Sequence, residues 1–268
     1  MASRKEQREE ARRQREEREA EERAKQRRKR RLWQIGAAGA VAIAIVVIAV
    51  AVSSSGGKSN TKVTPNEGNA TKTFFNGIAQ SGVTLGNPQA KVTMYEFADL
   101  QCPFCREYTV GQSGNGSDSV FQQLVNKYVR PGKVKMVFRN LTFIGPDSVT
   151  AARAASAAGN QNKLWDFVDL FYKNQGTENT GYVTDKFIQN IATQAGLDPN
   201  KLKADQSAPS VEQQLGEAQD QAQQFSINST PSFLIQVGNG KPQKLNYSNF
   251  VLSEFTGPID AALKQAGG

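Results

Sequence analysis

The chain has 268 residues, with 33 Lys and Arg against 25 Asp and Glu, and it contains 2 Cys and no His. The absence of His excludes a Ser-His-Asp or Cys-His nucleophile and any imidazole general base. Two cysteines cannot fill the four positions of a structural zinc site, and they are too few for a disulfide framework, so the core depends on ordinary apolar burial.

The net charge of +8 is concentrated at the N-terminus. Residues 1–31 hold 14 Lys or Arg and 8 Glu, whereas the rest of the chain is almost neutral. A folded part without a basic stripe argues against nucleic-acid binding. The alternating charges of residues 1–31 are typical of a solvated charged helix or a disordered tail, with a partner-binding arm as the alternative.

An apolar segment follows this charged tail. The residues from Leu32 to Val52 carry no charge, and Gln34 is their only polar side chain. A helix of this length crosses about 30 Å of hydrocarbon. We therefore predict one transmembrane helix over residues 32–53, and the basic cluster before it predicts a cytoplasmic N-terminus and an extracytoplasmic remainder.

Two alternatives apply to the apolar segment. A cleavable signal peptide would use the small-residue pattern Ala49-Val50-Ala51, although the basic region and the apolar run are longer than usual for a signal. A buried core helix is the other alternative, and no amphipathic face can be drawn for it. Residues 54–72 are small and polar and are predicted to be a flexible linker. We expect the folded domain over residues 73–268.

The first part of this domain is predicted to contain two strands and two helices. β-Branched and aromatic residues indicate a buried strand over Val92–Phe97. Cys102 and Pro103 indicate the start of a helix, because proline suits the first helical position. Gly and Ser at 111–119 shorten or break that helix. A second helix is predicted over Val120–Val129 and a second strand over Val134–Phe138.

A helical block over about residues 146–226 follows. Its apolar residues recur at helical spacing, which indicates core packing. Phe233–Val237 predicts a third strand, with a partner strand near Leu245, and residues 258–266 predict a closing helix. The order of elements predicts an α/β domain with an all-helical insertion.

The chain's two cysteines form the motif Cys102-Pro103-Phe104-Cys105 at the predicted strand-to-helix junction. The first sulfur would lie at the helix N-terminus, where free N–H groups and the helix dipole stabilise a thiolate. A thiolate attacks disulfides and also leaves readily from a mixed disulfide. We therefore expect Cys102 to be an exposed nucleophile and Cys105 to be a buried resolving thiol.

Two other interpretations of the cysteine pair stay open. An inert structural disulfide would close so short a loop that it restricts the unfolded chain little. A pair of metal ligands would lack the further Cys or His residues that complete a site.

Two distant motifs resemble the DsbA-like branch of the thioredoxin superfamily, closest to the membrane-anchored extracytoplasmic forms of Gram-positive bacteria. The first runs from Leu85-Gly86-Asn87-Pro88 through the predicted strand to Cys105. The second is Ser229-Thr230-Pro231-Ser232-Phe233, which matches the family's cis-proline loop. The resemblance covers about residues 74–266. It implies a thioredoxin-like fold whose inserted helical subdomain is the helical block.

The resemblance also implies roles for individual residues. Cys102 would be the nucleophile and Cys105 the resolving cysteine. Pro231 would be the cis-proline packed against the dithiol, with Thr230 beside the sulfurs. Glu96 matches the buried carboxylate that handles the proton of the resolving cysteine. For Glu96 the alternative is a solvent-facing residue at a strand end, and for Pro231 it is a trans proline that only starts a strand.

The sequence departs from the strongly oxidising members of the family at one position of the motif. Those members have Pro-His between the cysteines, whereas this chain has Phe104 in place of the His. Phe cannot add positive charge near the thiolate, which favours a less oxidising potential. The side chain of Arg106 would compensate if it turned back toward the sulfur.

The implied function is a thiol-disulfide oxidoreductase tethered outside the cytoplasmic membrane. It would give its disulfide to exported, unfolded proteins and be reoxidised by a membrane redox partner, without a metal or an organic cofactor. A reductase or isomerase of the same fold is the first alternative, because the direction follows the potential and the partner. A non-catalytic thioredoxin-like binding module is the second.

Overall fold

A mixed β-sheet organises the described part of the chain, which in this computed structural model comprises residues 63–64, 67–114 and 119–267. Its strands are β1 (Gln80–Ser81), β2 (Thr84–Leu85), β3 (Val92–Ala98), β4 (Val134–Asn140), β5 (Ser232–Val237) and β6 (Gln243–Leu245). The described strands lie in the order β1-β2-β4-β3-β5-β6. The central strands β3 and β4 are parallel, and all other neighbours are antiparallel.

Helices cover the sheet and form the predicted insertion between β4 and β5. They are α1 (Glu67–Phe75), α2 (Pro103–Val110), α3 (Val120–Leu124), α4 (Pro146–Gly159), α5 (Leu164–Lys173), α6 (Asp185–Ala195), α7 (Pro199–Asp205), α8 (Pro209–Gln224) and α9 (Leu252–Gln265). Helices α4 to α8 follow one another without a strand. The α/β architecture with an all-helical insertion is therefore confirmed.

Helix α1 and the short hairpin of β1 and β2 were not predicted from the sequence. Helix α1 begins at Glu67, six residues before the expected start of the domain at residue 73 and inside the predicted linker. Its Thr71 and Phe75 are buried, and the Thr71 hydroxyl donates to Asp169 Oδ2 of α5 at 2.5 Å. Tertiary contacts therefore stabilise a helix in a segment whose composition, taken alone, indicates a linker.

The chain enters the domain over the end of α5. The backbone N–H of Thr64 donates to Asn174 Oδ1 at 2.7 Å, and Asn174 Nδ2 donates to Glu67 Oε2 at 2.8 Å. Gln194 of α6 donates to the Thr64 carbonyl. The first described residues are therefore attached to the helical insertion.

The Gly/Ser-rich segment ends α2 as predicted. Gly111 follows the helix with φ of 72°, a backbone region that favours glycine, and its N–H donates to the Glu107 carbonyl. Ser119 then caps α3 by accepting a hydrogen bond from the Gln122 N–H. The helix predicted over residues 120–129 is divided, because α3 passes into a π-helical turn over Val125–Val129.

Strand β3 is buried on both faces of the sheet. Met94 lies in the larger core, whereas Phe97 packs with Ala218 and Ala222 of α8 in a second cluster. Burial on both sides explains why the strand is an almost continuous apolar run. Glu96 is the exception in its centre, and it faces the Phe138 and Phe233 neighbours with which it pairs in β4 and β5.

The transmembrane helix predicted over residues 32–53 and the charged tail over residues 1–31 lie outside the described residues. Among the helices that the structure describes, none has the length and apolar character needed to span a bilayer.

Two aromatic rings connect the sheet-covering helices to the insertion. Phe121 of α3 stacks on Trp165 of α5 with 5.5 Å between ring centroids and 5° between planes. Both side chains are buried. Stacked aromatic pairs contribute beyond their buried area, so this contact fixes α5 against the thiol-bearing half of the domain.

We expect Phe121→Ala to lower the free energy of unfolding by about 3–5 kcal/mol, because the buried ring leaves a cavity beside Trp165. Urea unfolding followed by circular dichroism measures the change. Phe143→Ala is the control, because its ring is 45% exposed and the expected cost is below about 0.5 kcal/mol. Equal costs for the two variants would contradict a core role for Phe121.

Candidate dithiol site

The cysteine motif lies where β3 gives way to α2, as the sequence predicted. Cys102 is the N-cap residue with extended backbone angles, and Pro103 occupies the first helical turn. The Cys102 N–H donates to the Asp99 carbonyl at 2.9 Å, and the Cys102 carbonyl accepts from the Arg106 N–H at 3.1 Å. The sulfur of Cys102 therefore lies at the N-terminus of the helix, where the backbone N–H groups point toward it.

Both cysteines are free thiols and both are buried. The prediction that Cys102 is exposed is wrong, because only 5% of its surface is accessible. The loop before β5 covers it, with Cys102 Sγ 3.3 Å from the Thr230 carbonyl oxygen. Cys105, one turn further along α2, is completely buried as predicted.

The environment lowers the pKa of Cys102 to about 6. The largest cause is the hydrogen bond from the Cys105 thiol, and it outweighs the opposing effect of burial. The Thr230 hydroxyl and the backbone N–H groups of Cys105 and Phe104 stabilise the thiolate further. A thiolate at neutral pH therefore forms without a His in the motif.

Thr230 has a suitable group for each protonation state of Cys102. Its carbonyl accepts a hydrogen bond from the thiol, whereas its hydroxyl stabilises the thiolate. Arg106 takes no such part, because its Nε donates to the Tyr172 carbonyl at 3.1 Å. The compensation considered for Arg106 therefore comes instead from Cys105, Thr230 and the helix backbone.

The pKa of Cys105 is shifted in the opposite direction to that of Cys102. Burial raises its pKa well above the ordinary value, and its hydrogen bond to Cys102 and the negative charges of Cys102 and Glu96 raise it further. A backbone hydrogen bond from Asp99 acts in the other direction and does not reverse the shift. At neutral pH the pair therefore consists of one thiolate and one thiol.

Glu96 is buried in the middle of β3, with 2% of its surface accessible. The solvent-facing alternative is therefore wrong. Neither carboxyl oxygen has a hydrogen-bond partner among the described residues, and burial raises the pKa of Glu96 to about 8. Its negative charge contributes to the raised pKa of Cys105.

Pro231 follows a cis peptide bond from Thr230, as the resemblance implied, and the trans alternative is wrong. The Tyr247 hydroxyl donates to the Pro231 carbonyl at 2.7 Å and holds the loop from the far side. A groove of about 350 Å³ adjoins this loop. Ile227, Ser229 and Lys244 are among the residues that line it.

Asp99 was not identified from the sequence, yet it organises the loop before Cys102. Its Oδ1 accepts from the Gln101 N–H at 2.9 Å. Its Oδ2 accepts from the N–H groups of Phe143 at 2.8 Å and Ile144 at 3.1 Å. A polar residue directly after a buried strand was the available signal, but its partners after β4 could be found only from the fold.

The helical insertion also holds this loop, through residues that no local pattern indicated. Gln175 Nε2 donates to the Leu100 carbonyl at 2.8 Å and to the Cys102 carbonyl at 3.2 Å. The Tyr172 hydroxyl donates to the Asp99 carbonyl at 3.1 Å. Three carbonyl groups of the loop are therefore bound by side chains from the last turn of α5 and the residues that follow it.

The described residues contain no cluster of three or more His, Cys, Asp or Glu side chains with the arrangement of a metal site.

Comparison with known proteins agrees with this geometry. The model of the thioredoxin family matches residues 79–246. A probable disulfide bond formation protein D of Bacillus cereus is 29% identical over 163 residues, covering 59% of this chain and 72% of that protein. Disulfide bond formation protein D of Bacillus subtilis is 25% identical and covers 56% of this chain and 66% of that protein.

Solved structures show the same fold. Oxidised BdbD from Bacillus subtilis superposes with a TM-score of 0.57 at 25% identity, covering 70% of this chain and all of that one. Wolbachia pipientis alpha-DsbA1 superposes with a TM-score of 0.56, covering 69% of this chain and 92% of that one. Its identity is 20%, so this second similarity concerns the fold alone.

We expect Thr230→Val to raise the pKa of Cys102 above about 6, because the isosteric side chain lacks the hydroxyl that stabilises the thiolate. Absorbance of the thiolate at 240 nm, followed against pH, measures the midpoint. Thr193→Val is the matched control, because that hydroxyl donates to the Gln189 carbonyl within α6. A midpoint unchanged in Thr230→Val would contradict the assigned role of its hydroxyl.

Proposed function

The chain belongs to the thioredoxin family, as a DsbA-like member, and on that premise we propose that it is an extracytoplasmic thiol-disulfide oxidoreductase that oxidises exported proteins. The observation that carries the proposal is the unequal pair of sulfurs beneath the cis-proline loop. Cys102 is the thiolate nucleophile, with its pKa lowered to about 6. Cys105 is the resolving thiol, with its pKa well above the ordinary value.

In the oxidising direction the Cys102–Cys105 disulfide reacts with a substrate thiolate. The substrate sulfur attacks Cys102, a mixed disulfide forms and the bond to Cys105 breaks. Glu96 then gives its proton to the Cys105 sulfur. A second substrate thiolate attacks the substrate sulfur of the mixed disulfide and releases Cys102 as a thiolate. The substrate thus loses two electrons, and the dithiol gains them.

Pro231 and Thr230 have complementary roles in the proposed exchange. A proline has no N–H, so the neighbouring backbone groups stay free to pair with an extended substrate segment. Thr230 contacts the Cys102 sulfur directly. The groove beside the loop gives the substrate chain room next to the sulfur.

The low pKa of Cys102 supports the oxidising direction. A stabilised thiolate favours the reduced form of the enzyme, so the disulfide form is a stronger oxidant. The names of the Bacillus relatives, which are disulfide bond formation proteins, agree with this direction. A membrane redox partner would accept the two electrons and restore the disulfide. The alternative, a reductase or isomerase of the same fold, would have a different reduction potential and a different redox partner.

The proposed location rests on the sequence before the described domain. Residues 32–53 would anchor the chain in the cytoplasmic membrane, with the basic tail inside. Disulfides persist outside the cytoplasm and are rare within it, so an oxidant with this dithiol is suited to the extracytoplasmic side. Its substrates would then be reduced or unfolded proteins that have crossed the membrane.

The reduction potential of the Cys102–Cys105 pair tests the direction. Equilibration with glutathione should give a value between about −100 and −200 mV for a disulfide donor. A value near about −270 mV would indicate a reductase or isomerase instead. A disulfide below about −300 mV that glutathione leaves closed would contradict a catalytic role.

Substitution of each cysteine tests the order of attack. We expect Cys105→Ser to accumulate mixed disulfides with exported proteins, because the nucleophile remains and the resolving thiol is gone. Cys102→Ser should form none and should lose activity. Non-reducing electrophoresis of acid-quenched cells measures the adducts. A binding module would instead keep its biological activity in Cys102→Ser.

Fractionation of the full chain tests the location. We expect it to stay with membranes after an alkaline wash and to be digested by protease added outside spheroplasts. Ile45→Arg with Ile48→Arg should abolish the attachment, because each central charge costs about 2.5–3.5 kcal/mol. Ser54→Arg with Ser55→Arg is the control outside the span. Release of a shortened chain from the cells would instead indicate a cleaved signal peptide.

A further inference from the structure

One phenol near the dithiol has no assigned purpose in the exchange reaction. Tyr108 lies on α2, three residues after Cys105, and is completely buried. Its hydroxyl has no hydrogen-bond partner among the described residues. A buried hydroxyl without a partner is destabilising, because it loses its hydrogen bonds to water, whereas Phe of nearly the same shape would avoid this cost. The hydroxyl therefore requires an explanation beyond packing.

Tyr108 and Glu96 approach the same part of the core. Glu96 pairs with Phe233 across β3 and β5, and paired residues point to one face of a sheet. The Phe233 ring lies 4.7 Å from the Tyr108 ring, between centroids. After burial, the charge of Glu96 is the next cause that raises the pKa of Tyr108. Two polar groups without hydrogen-bond partners among the described residues thus lie beside Phe233 in one apolar region.

The other phenols that Glu96 affects are already engaged. Glu96 raises the pKa of Tyr172 and of Tyr247, after larger effects of burial and, in both cases, of Cys105. The Tyr172 hydroxyl donates to the Asp99 carbonyl, and the Tyr247 hydroxyl donates to the Pro231 carbonyl. Together with Tyr108 and Cys105 of α2, these are the described titratable groups whose pKa the charge of Glu96 raises. Of the three tyrosines whose pKa Glu96 raises, only Tyr108 has a hydroxyl without a hydrogen-bond partner among the described residues.

We propose that Tyr108 is the positioning residue for proton transfer at Glu96, with a hydroxyl that accepts from the protonated carboxyl and donates to the carboxylate. A phenol is suited to this role because it is both a donor and an acceptor. Reorientation of the Glu96 side chain, or one bridging water, makes the hydrogen bond. The inference rests on the proposed function for its use in catalysis.

The orientation of the Tyr108 hydroxyl changes as the proton moves between Glu96 and Cys105 during the exchange reaction. When Cys105 leaves the disulfide as a thiolate, Glu96 gives it the carboxyl proton and becomes a carboxylate. The Tyr108 hydroxyl then turns its own hydrogen toward Glu96 and remains a neutral phenol. In reoxidation the Cys105 proton returns to Glu96, and the hydroxyl turns again to accept. No electron passes through Tyr108.

The test is a pH titration of the Glu96 carboxyl in the reduced full chain, by carbon-13 NMR with labelled Glu. Glu96→Gln identifies the signal. Burial alone raises the pKa of Glu96 to about 8, so donation by Tyr108 should hold the wild-type midpoint below that value. Tyr108→Phe should move it upward by about one pH unit, a tenfold change in the ionisation constant, because the carboxylate loses its donor. Tyr182→Phe is the matched control, because that phenol is buried in the insertion and Glu96 is not among the causes of its pKa shift.

The rate at which Cys105 resolves a mixed disulfide with glutathione provides a second measurement. Tyr108→Phe should slow it about tenfold at pH 7 in the wild-type background and leave it unchanged in Glu96→Gln, since the hydroxyl acts through the carboxyl. The inference would be overturned if Tyr108→Phe left the titration midpoint of Glu96 unchanged. It would also be overturned if Tyr182→Phe moved that midpoint by the same amount. Failure of the wild-type chain to exchange disulfides, with the midpoint shifted as expected, would instead reject the proposed function alone.

Discussion

The site depends on one constraint, which is that two sulfurs on the same helical turn must differ in protonation. The N-terminus of α2 supplies N–H groups to Cys102, whereas Cys105 is directed into an apolar interior that disfavours a charge. The hydrogen bond between them strengthens the difference, because it stabilises the thiolate of one and the thiol of the other. Burial of both sulfurs makes this bond effective, since a low local dielectric strengthens electrostatic interactions.

The helical insertion has a direct part in maintaining that constraint. The loop between β3 and α2 is buried, so carbonyl groups that are not paired within a strand or a helix need other donors. Tyr172 and Gln175 provide these donors from the end of α5, and Asp99 joins the loop to the chain after β4. The insertion is therefore part of the site and not only a cover over the sheet. Stacking of Phe121 on Trp165 also packs α5 against α3.

Features fixed by local chemistry were predictable from the sequence. The strand-to-helix junction of Cys102 and the buried strand around Glu96 each have a signature within a few residues, whereas the cis-proline loop at Pro231 was implied by the family resemblance. The partners of Asp99 and Gln175 have none, because they lie 44 to 75 residues away in the chain. The low exposure of Cys102 was missed for the same reason, since the loop that covers it is 128 residues distant. The two-residue strands β1 and β2 are too short to show a period.

The attachment of the entering chain has a consequence for how the domain is connected. Asn174 binds Thr64 and Glu67, where the chain enters, and the next residue, Gln175, binds the carbonyl of Cys102. One peptide unit thus separates the anchorage of the N-terminal segment from the support of the nucleophile. A pull on the chain at Thr64 would therefore be transmitted in part to Asn174. Tension on the N-terminal segment would thus reach the backbone that positions Gln175 against the Cys102 carbonyl.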